Sequence, residues 1–236
     1  MFAALQALLN TCAVSFDLPI LEWIQAHLQC GFLDKAMPIV TLFGDGGVFW
    51  ILVAVSLLFF AKYRKTGFSM GMALILGLLV CNIILKPQVA RIRPYNFQLQ
   101  EYGREITLLV KGLNDYSFPS GHVTAAMAGV TALVLTGKKP ARYWAFLFVP
   151  VMGFARNYLM AHYPSDVLVA AIIGVASGFI AWVITRFIFR IVNFPISEVV
   201  LILLIKIQRF VSRRKIYKSV GKLDAYKPRV KKRKRT

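Results

Sequence analysis

"VLVAAIIGVASGFIAWVITRFIF", Val167 to Phe189, reads as a membrane helix. The run is apolar apart from Arg186 near its end, and Asp166 stands directly before it. About 20 consecutive apolar residues are what an α-helix needs to cross the hydrocarbon layer. Working back along the chain, four more apolar runs lie at Tyr143–Leu159, Gly121–Thr136, Phe68–Leu85 and Gly47–Ala61, the last open to lengthening by Pro38–Phe43. Phe68–Leu85 would extend roughly 27 Å as a helix, just enough to span. Gly121–Thr136 is short, so its ends must lie at the interface or the bundle must thin the bilayer. The 236 residues are 58% hydrophobic, and the mean hydropathy is +0.62. The expected fold is all-α: a polytopic membrane helix bundle of about five transmembrane helices.

The flanks read differently. Leu18–Met37 mixes Leu, Ile and Trp with Glu22, His27 and Asp34, which suits an amphipathic helix lying on the membrane. Beyond the last span, Val199–Ile205 is too short to cross, so Glu198–Phe210 also reads as interfacial before the chain turns basic. The chain thus divides into an N-terminal amphipathic segment (1–37), a transmembrane domain (38–190), and an interfacial helix with a basic tail (191–236). Cys12, Cys30 and Cys81 form no pairing pattern, and Cys81, inside an apolar run, is expected to be a buried free thiol. The first cation is Lys35, so the basic start of a signal peptide is missing.

The formal charge of +19 allows nucleic acid, a membrane surface or an anionic substrate as partner. Position decides between them. Five alternating spans put the 62–67 loop, the 137–142 loop and everything after Phe189 on one face. With Arg186 and Arg190, that face holds 22 cations against two acids, Glu198 and Asp224. The other face holds seven cations and eight acids. The positive-inside rule puts the basic face and the tail in the cytoplasm of a multi-pass cell-membrane protein. The run Lys227–Arg235 then reads as a topology anchor touching anionic headgroups. Nucleic-acid binding is not expected, because no aromatic residue interleaves the basic run after Tyr226.

Three polar clusters remain, all on the opposite, outer face. Lys86 opens "KPQVARIRP", with Arg93 seven residues on. Ser120, Gly121 and His122 open the third span. "ARNYLMAHYPSD" closes the fourth span with Arg156, His162 and Asp166. Each has an ordinary reading: a snorkelling lysine, a helix-end cap, an interfacial anchor. All three must hold together on one face, at membrane depth, where each charge costs roughly 2.5–3.5 kcal/mol. A shared site is the simpler account. Lys86, Arg93 and Arg156 supply cations, and Arg forks suit phosphate oxygens. Ser120 and Gly121 stand at a helix N-terminus that favours an anion, after a Pro119 that fixes the entry. Such a cage fits a tetrahedral oxyanion. The rival is a metal on His122, His162 and Asp166. Three fixed cations would repel it, so no metal and no cofactor is expected.

Reaction chemistry follows from the histidines. His162 and Asp166 are four apart with Pro164 between, which starts a helix and lets Asp166 reach back to the imidazole. A carboxylate on one ring nitrogen makes the other a better nucleophile. His122, entering the cage from the third span, suits a general acid for the leaving oxygen.

These residues resemble the type 2 phosphatidic acid phosphatase superfamily of membrane lipid phosphatases. Its pattern is Lys, six residues, Arg-Pro; then Pro-Ser-Gly-His; then Ser-Arg, five residues, His, three residues, Asp. Here it reads Lys86 to Arg93-Pro94, Pro119 to His122, and Ala155-Arg156 to His162 and Asp166. Ala155 stands where the family has Ser, so a hydroxyl is missing. The resemblance covers about residues 40–190. It implies a metal-free phosphatase in which His162 attacks phosphorus and becomes a phosphohistidine, with help from Asp166. His122 protonates the leaving group, and Lys86, Arg93, Ser120, Gly121 and Arg156 hold the phosphoryl oxygens. The substrate expected is a lipid phosphate, first of all undecaprenyl diphosphate, with phosphatidylglycerol phosphate, phosphatidic acid and soluble esters as alternatives. From another class, the cations alone would serve a non-catalytic anion-binding protein or transporter. The oligomeric state is not legible.

Overall fold

The computed structural model describes residues 2–110, 113–137, 140–191 and Lys206. Apart from Lys206, the interfacial helix expected at Glu198–Phe210 and the basic run Lys227–Arg235 lie outside the described residues. No strand occurs among the described residues. The chain begins with α1 (Phe2–Cys12), a π-helical turn (Ala13–Asp17) and α2 (Leu18–Leu28). Next, α3 (Gly31–Leu42) turns through the 3-10 segment Asp45–Gly47 into α4 (Val48–Phe59). Then α5 (Arg64–Leu78) passes through a π segment (Leu79–Leu85) into α6 (Lys86–Val89), and α7 (Pro94–Tyr102) follows. The remainder is α8 (Gly121–Thr136), a 3-10 segment (Pro140–Leu147), α9 (Phe148–Tyr158) and α10 (Pro164–Ile191).

Four stretches are long and apolar enough to cross a membrane: Ala4–Leu28, Gly31–Phe59, Arg64–Tyr102 and Pro164–Arg190, with α8 shorter. This is a polytopic helical membrane protein. Three details differ from the sequence reading. Leu18–Leu28, expected to lie on the membrane, belongs to Ala4–Leu28, which is long and apolar enough to cross because α1 and the π-helical turn extend its apolar run. Leu18–Met37 is not one helix. Gln29 and Cys30 take extended backbone (ψ 118° and 153°), so the segment splits between α2 and α3. The apolar residues assigned to one amphipathic face belong to two helices, and Ile24 and Met37 meet in one buried cluster with Ala155 and Tyr158. The fourth span is also not one α-helix. Its first five residues, 143–147, are 3-10, and only Phe148–Tyr158 is α-helical.

The bundle centres on α8, which packs against α5, α9 and α10. Its inward residues are small: Ala126, Ala128, Gly129 and Ala132 are buried. Lipid tails are as apolar as Leu, so helices in a bilayer gain from close backbone approach rather than from hiding apolar surface. Gly174 and Gly178 on α10 provide that approach. A Cβ on Gly174 would stand 2.9 Å from Thr124 O, and one on Gly178 would stand 2.6 Å from Thr131 Cβ. The outward surface is apolar, with Leu52, Ile75, Ile172 and Phe187 exposed. This packing brings the starts of α6, α8 and α10 and the end of α9 to one end of the bundle.

Candidate active site

Local backbone explains how the side chains arrive there. The π segment Leu79–Leu85 ends immediately before Lys86, and Ala90 then leaves α6 in left-handed conformation (φ 48°). After this reversal two arginines find different partners. Arg93 donates to Asp115 O (2.8 Å) and Ala161 O (2.6 Å) and pairs with the Asp115 carboxylate. Arg91 donates to Asp166 (2.5 Å), to Asp17 (2.7 Å) and to Leu9 O (2.8 Å). Its guanidinium also lies 3.8 Å from the centre of the Tyr163 ring. Between α9 and α10 the backbone N–H groups of Ala161 and His162 both donate to Arg156 O, at 3.1 and 3.3 Å, which sets the loop that carries His162. Pro164 starts α10, and Asp166, two residues on, accepts the Tyr163 N–H at 3.0 Å, the carboxylate half of a capping box.

Six of the eight residues named from sequence line one cavity: Lys86, Arg93, Gly121, His122, Arg156 and His162. Asp166 lies behind His162, fully buried. Ser120 caps α8, its N–H 3.5 Å from Asp166 O. The Ser120 Oγ and Arg156 Nε are buried and make no hydrogen bond among the described residues. Buried donors without partners are costly unless a ligand supplies an acceptor, and an oxyanion between α8 and α9 would.

The His162–Asp166 pair is looser than its spacing suggested. Nδ1 stands 3.7 Å from Asp166 Oδ2, beyond hydrogen-bond reach. The physical reason is competition: Arg91, Ser117 Oγ and the Tyr163 N–H already hold both carboxylate oxygens. His162 Nε2 lies 3.4 Å from Arg93 Nη1, on the cage side. Burial, then the nearby charges of Arg156, Arg93 and Lys86, holds His162 well below the usual imidazole range. A neutral ring keeps a lone pair for attack. His122 Nε2 donates to Asp45 at 2.8 Å.

Several residues here escaped the sequence reading. Asp115 bridges Lys86 and Arg93. Burial pushes its carboxyl up, but the hydrogen bond from Lys86 and the charge of Arg93 outweigh that and hold it below the usual carboxylate range. Arg91, Asp17 and Ser117 form the scaffold behind Asp166. The only signal for Arg91 was a second arginine in "ARIRP"; Asp17, Asp45 and Asp115 are lone acids far from the motifs. Ala155 is fully buried in an apolar cluster with Ile24, Met37 and Tyr158, and it is not part of the cavity wall. Here the missing hydroxyl is a packing difference. Among the described residues, no three His, Cys, Asp or Glu side chains converge as a metal site.

The same cavity, of ≈ 900 Å³, extends from these polar groups along α4 and α5. Ile51, Val55, Leu58, Phe68, Ile75 and Leu78 form its apolar wall.

Comparison with known proteins agrees with this arrangement. An undecaprenyl-diphosphatase of Sulfolobus acidocaldarius is 28% identical over 161 residues, covering 68% of this chain and 74% of its own. The undecaprenyl-diphosphatase BcrC of Bacillus subtilis is 28% identical over 149 residues, 63% of this chain and 72% of its own. The crystal structure of a transmembrane PAP2-type phosphatidylglycerolphosphate phosphatase from Bacillus subtilis superimposes with a TM-score of 0.62 at 25% identity, covering 80% of this chain and 94% of that one. Residues 66–190, which carry all three motifs, match the PAP2 superfamily, and the chain belongs to that family of phosphatases.

Proposed function

We propose that this protein is a membrane phosphatase that hydrolyses lipid phosphate or diphosphate esters, with undecaprenyl diphosphate as the first candidate, and that it needs no metal. One observation carries the reading: cations and two histidines share a cavity with a long apolar wall. From Phe68 to Lys86 that wall runs roughly 27 Å at helical rise, the depth of a bilayer core. A phosphate on an apolar tail fits both ends at once, whereas a soluble ester uses only one. The names of the two curated relatives favour the polyprenyl diphosphate. The likeness to the phosphatidylglycerolphosphate phosphatase keeps that lipid as the second candidate.

In this reading Lys86, Arg93, Arg156, Ser120 and the Gly121 N–H hold the phosphoryl oxygens. His162 Nε2 attacks phosphorus, and Asp166 steadies the ring from the Nδ1 side. The bond from phosphorus to the leaving oxygen breaks as His122 gives that oxygen a proton. Water then attacks the phosphohistidine, His122 takes the water's proton, and phosphate leaves with His162 restored. Three cations around the reacting phosphate do the charge neutralisation that a metal does elsewhere. The charge sorting supports a site on the extracytoplasmic face and a cytoplasmic tail.

The test is phosphate release from purified protein in detergent, across undecaprenyl diphosphate, phosphatidylglycerol phosphate, phosphatidic acid and p-nitrophenyl phosphate. Turnover that survives EDTA, stops with vanadate and is fastest on the diphosphate supports the reading. Binding without turnover points to an anion-binding protein. Activity lost in EDTA and restored by Mg²⁺ overturns the metal-free mechanism.

A further inference from the structure

The 3-10 turn between α3 and α4 is shaped around His122. Gly44 precedes it, and a Cβ there would stand 2.4 Å from His122 Cδ2. Gly46 and Gly47 take left-handed backbone, φ 55° and 68°, which L side chains resist. Between them and Gly44 sits Asp45, whose Oδ1 accepts from His122 Nε2 at 2.8 Å. Among the described residues no other hydrogen bond reaches that ring. Asp45 is half exposed and lines the same cavity as Lys86, Arg93, Arg156, Asp115 and His162. Those groups matter to a proton donor. Lys86, Arg93 and Arg156 repel a second charge on the imidazole, and the Asp115 carboxylate is already paired with two of them.

We infer that Asp45 is the positioning residue of the general acid: it orients His122 and supplies the counter-charge that lets the ring carry a proton inside a cationic cage. This rests on the phosphatase reading above. The bond to Asp45 occupies Nε2–H, so Nδ1 is the nitrogen that delivers its proton to the leaving oxygen. After delivery the ring is neutral and still bonded to Asp45 through Nε2–H. In the second half-reaction the proton from the attacking water returns to Nδ1. Asp45, Gly46 and Gly47 are not buried, so they fill no core; the buried glycine, Gly44, packs on the His122 ring itself.

The leaving group provides the test. An alkoxide leaving from phosphatidic acid needs a proton; a nitrophenolate needs it far less. The full chain and its Asp45→Asn, Asp45→Glu, His122→Ala and Asp45→Asn/His122→Ala variants are assayed in detergent on both substrates. Asp45→Asn lowers kcat on phosphatidic acid by about ten- to a hundred-fold, part of the ~10²–10⁴-fold that general acid catalysis supplies. On p-nitrophenyl phosphate it loses much less, which also shows that the variant is folded. Asp45→Glu recovers part of the loss, and the double variant loses no more than His122→Ala alone. Equal losses on both substrates, or additive losses in the double variant, overturn the inference while leaving the phosphatase reading intact. A wild-type protein without turnover on any substrate removes both.

Discussion

The two halves of the site are built on opposite principles. Around His162, the proposed nucleophile, the His162 and Asp166 side chains are 1% and 0% exposed. Behind them Asp17 bonds Arg91, the Ser165 N–H and the Ser165 hydroxyl, and Arg91 joins Asp17 to Asp166. Around His122, the proposed general acid, and the cations of the cage, Asp45 and Asp115 are 58% and 55% exposed and hold their partners from a turn and a loop. Bond formation at phosphorus demands one fixed direction of approach, which suits a ring buried between Arg93 and the Asp166 network before substrate arrives. A leaving group differs in size from one lipid to the next. An open half accommodates it, at the cost of weaker, more screened contacts.

The largest effect falls on the fixed half. His162→Ala is expected to remove turnover on every substrate, a loss on the order of 10⁴-fold or more, as for other catalytic nucleophiles. Phosphate or vanadate should still bind, because Lys86, Arg93 and Arg156 remain. Turnover near wild-type in this variant would move the nucleophile elsewhere.

Arg91 sharpens the same contrast through stability. Arg91→Met leaves Asp17 and Asp166 buried without their shared cation, and breaking a buried pair costs roughly 3–5 kcal/mol. Arg104→Met breaks the exposed Arg104–Glu22 pair, 3.3 Å apart, for about 1 kcal/mol or less. Thermal unfolding in detergent compares them directly. Equal shifts would mean that the buried network carries no special load.

Asp115 gives a smaller effect of opposite sign. Its carboxylate competes with phosphate for Lys86 and Arg93. Asp115→Asn should therefore let vanadate inhibit at about two- to five-fold lower concentration, the scale of a partly exposed charge pair. Weaker inhibition would show that Asp115 builds the cage instead of competing for it.

The fixed half also predicts a pH slope. His162 is held well below the ordinary imidazole value of about 6.5, so between that value and its folded pKa the unfolded chain binds the extra proton. Stability from a neutral buried His162 is complete above pH ~6.5 and declines as pH falls below it, by at most about 1.4 kcal/mol per unit. Melting at pH 7.5 and 5.5 should thus differ more for wild type than for His162→Asn. Identical slopes would mean that the ring is not held neutral.

Much of this was open to reading in one dimension. Gly121–Thr136 is helical over the residues expected, and Val167–Phe189 lies wholly within α10. Cys81 is a buried free thiol. The motif side chains share a cavity because each sits at the end of an apolar run, and membrane crossing puts alternate ends on one side. The misreadings have physical causes too. The break at Gln29–Cys30 carries neither Pro nor a dominant Gly signal before Gly31. The 3-10 start of the fourth span keeps the apolar composition of an α-helix, so hydropathy does not distinguish them.

What the sequence alone determined is the chemistry available: which runs are apolar, and which cations, histidines and carboxylate lie at their ends. Only the tertiary structure decided how that chemistry is held. Asp17 reaches Ser165 across 148 residues, and Asp45 reaches His122 across 77. Nothing local marks these two acids: unlike Asp166, which caps its own helix at Tyr163 N–H, neither owes its role to its neighbours in the chain. Each owes it to the cation or ring that helix packing sets beside it. The same packing separated two arginines two residues apart, sending Arg93 into the cavity wall and Arg91 behind Asp166. Pairing energy depends on distance and burial, and those exist only once the bundle has closed.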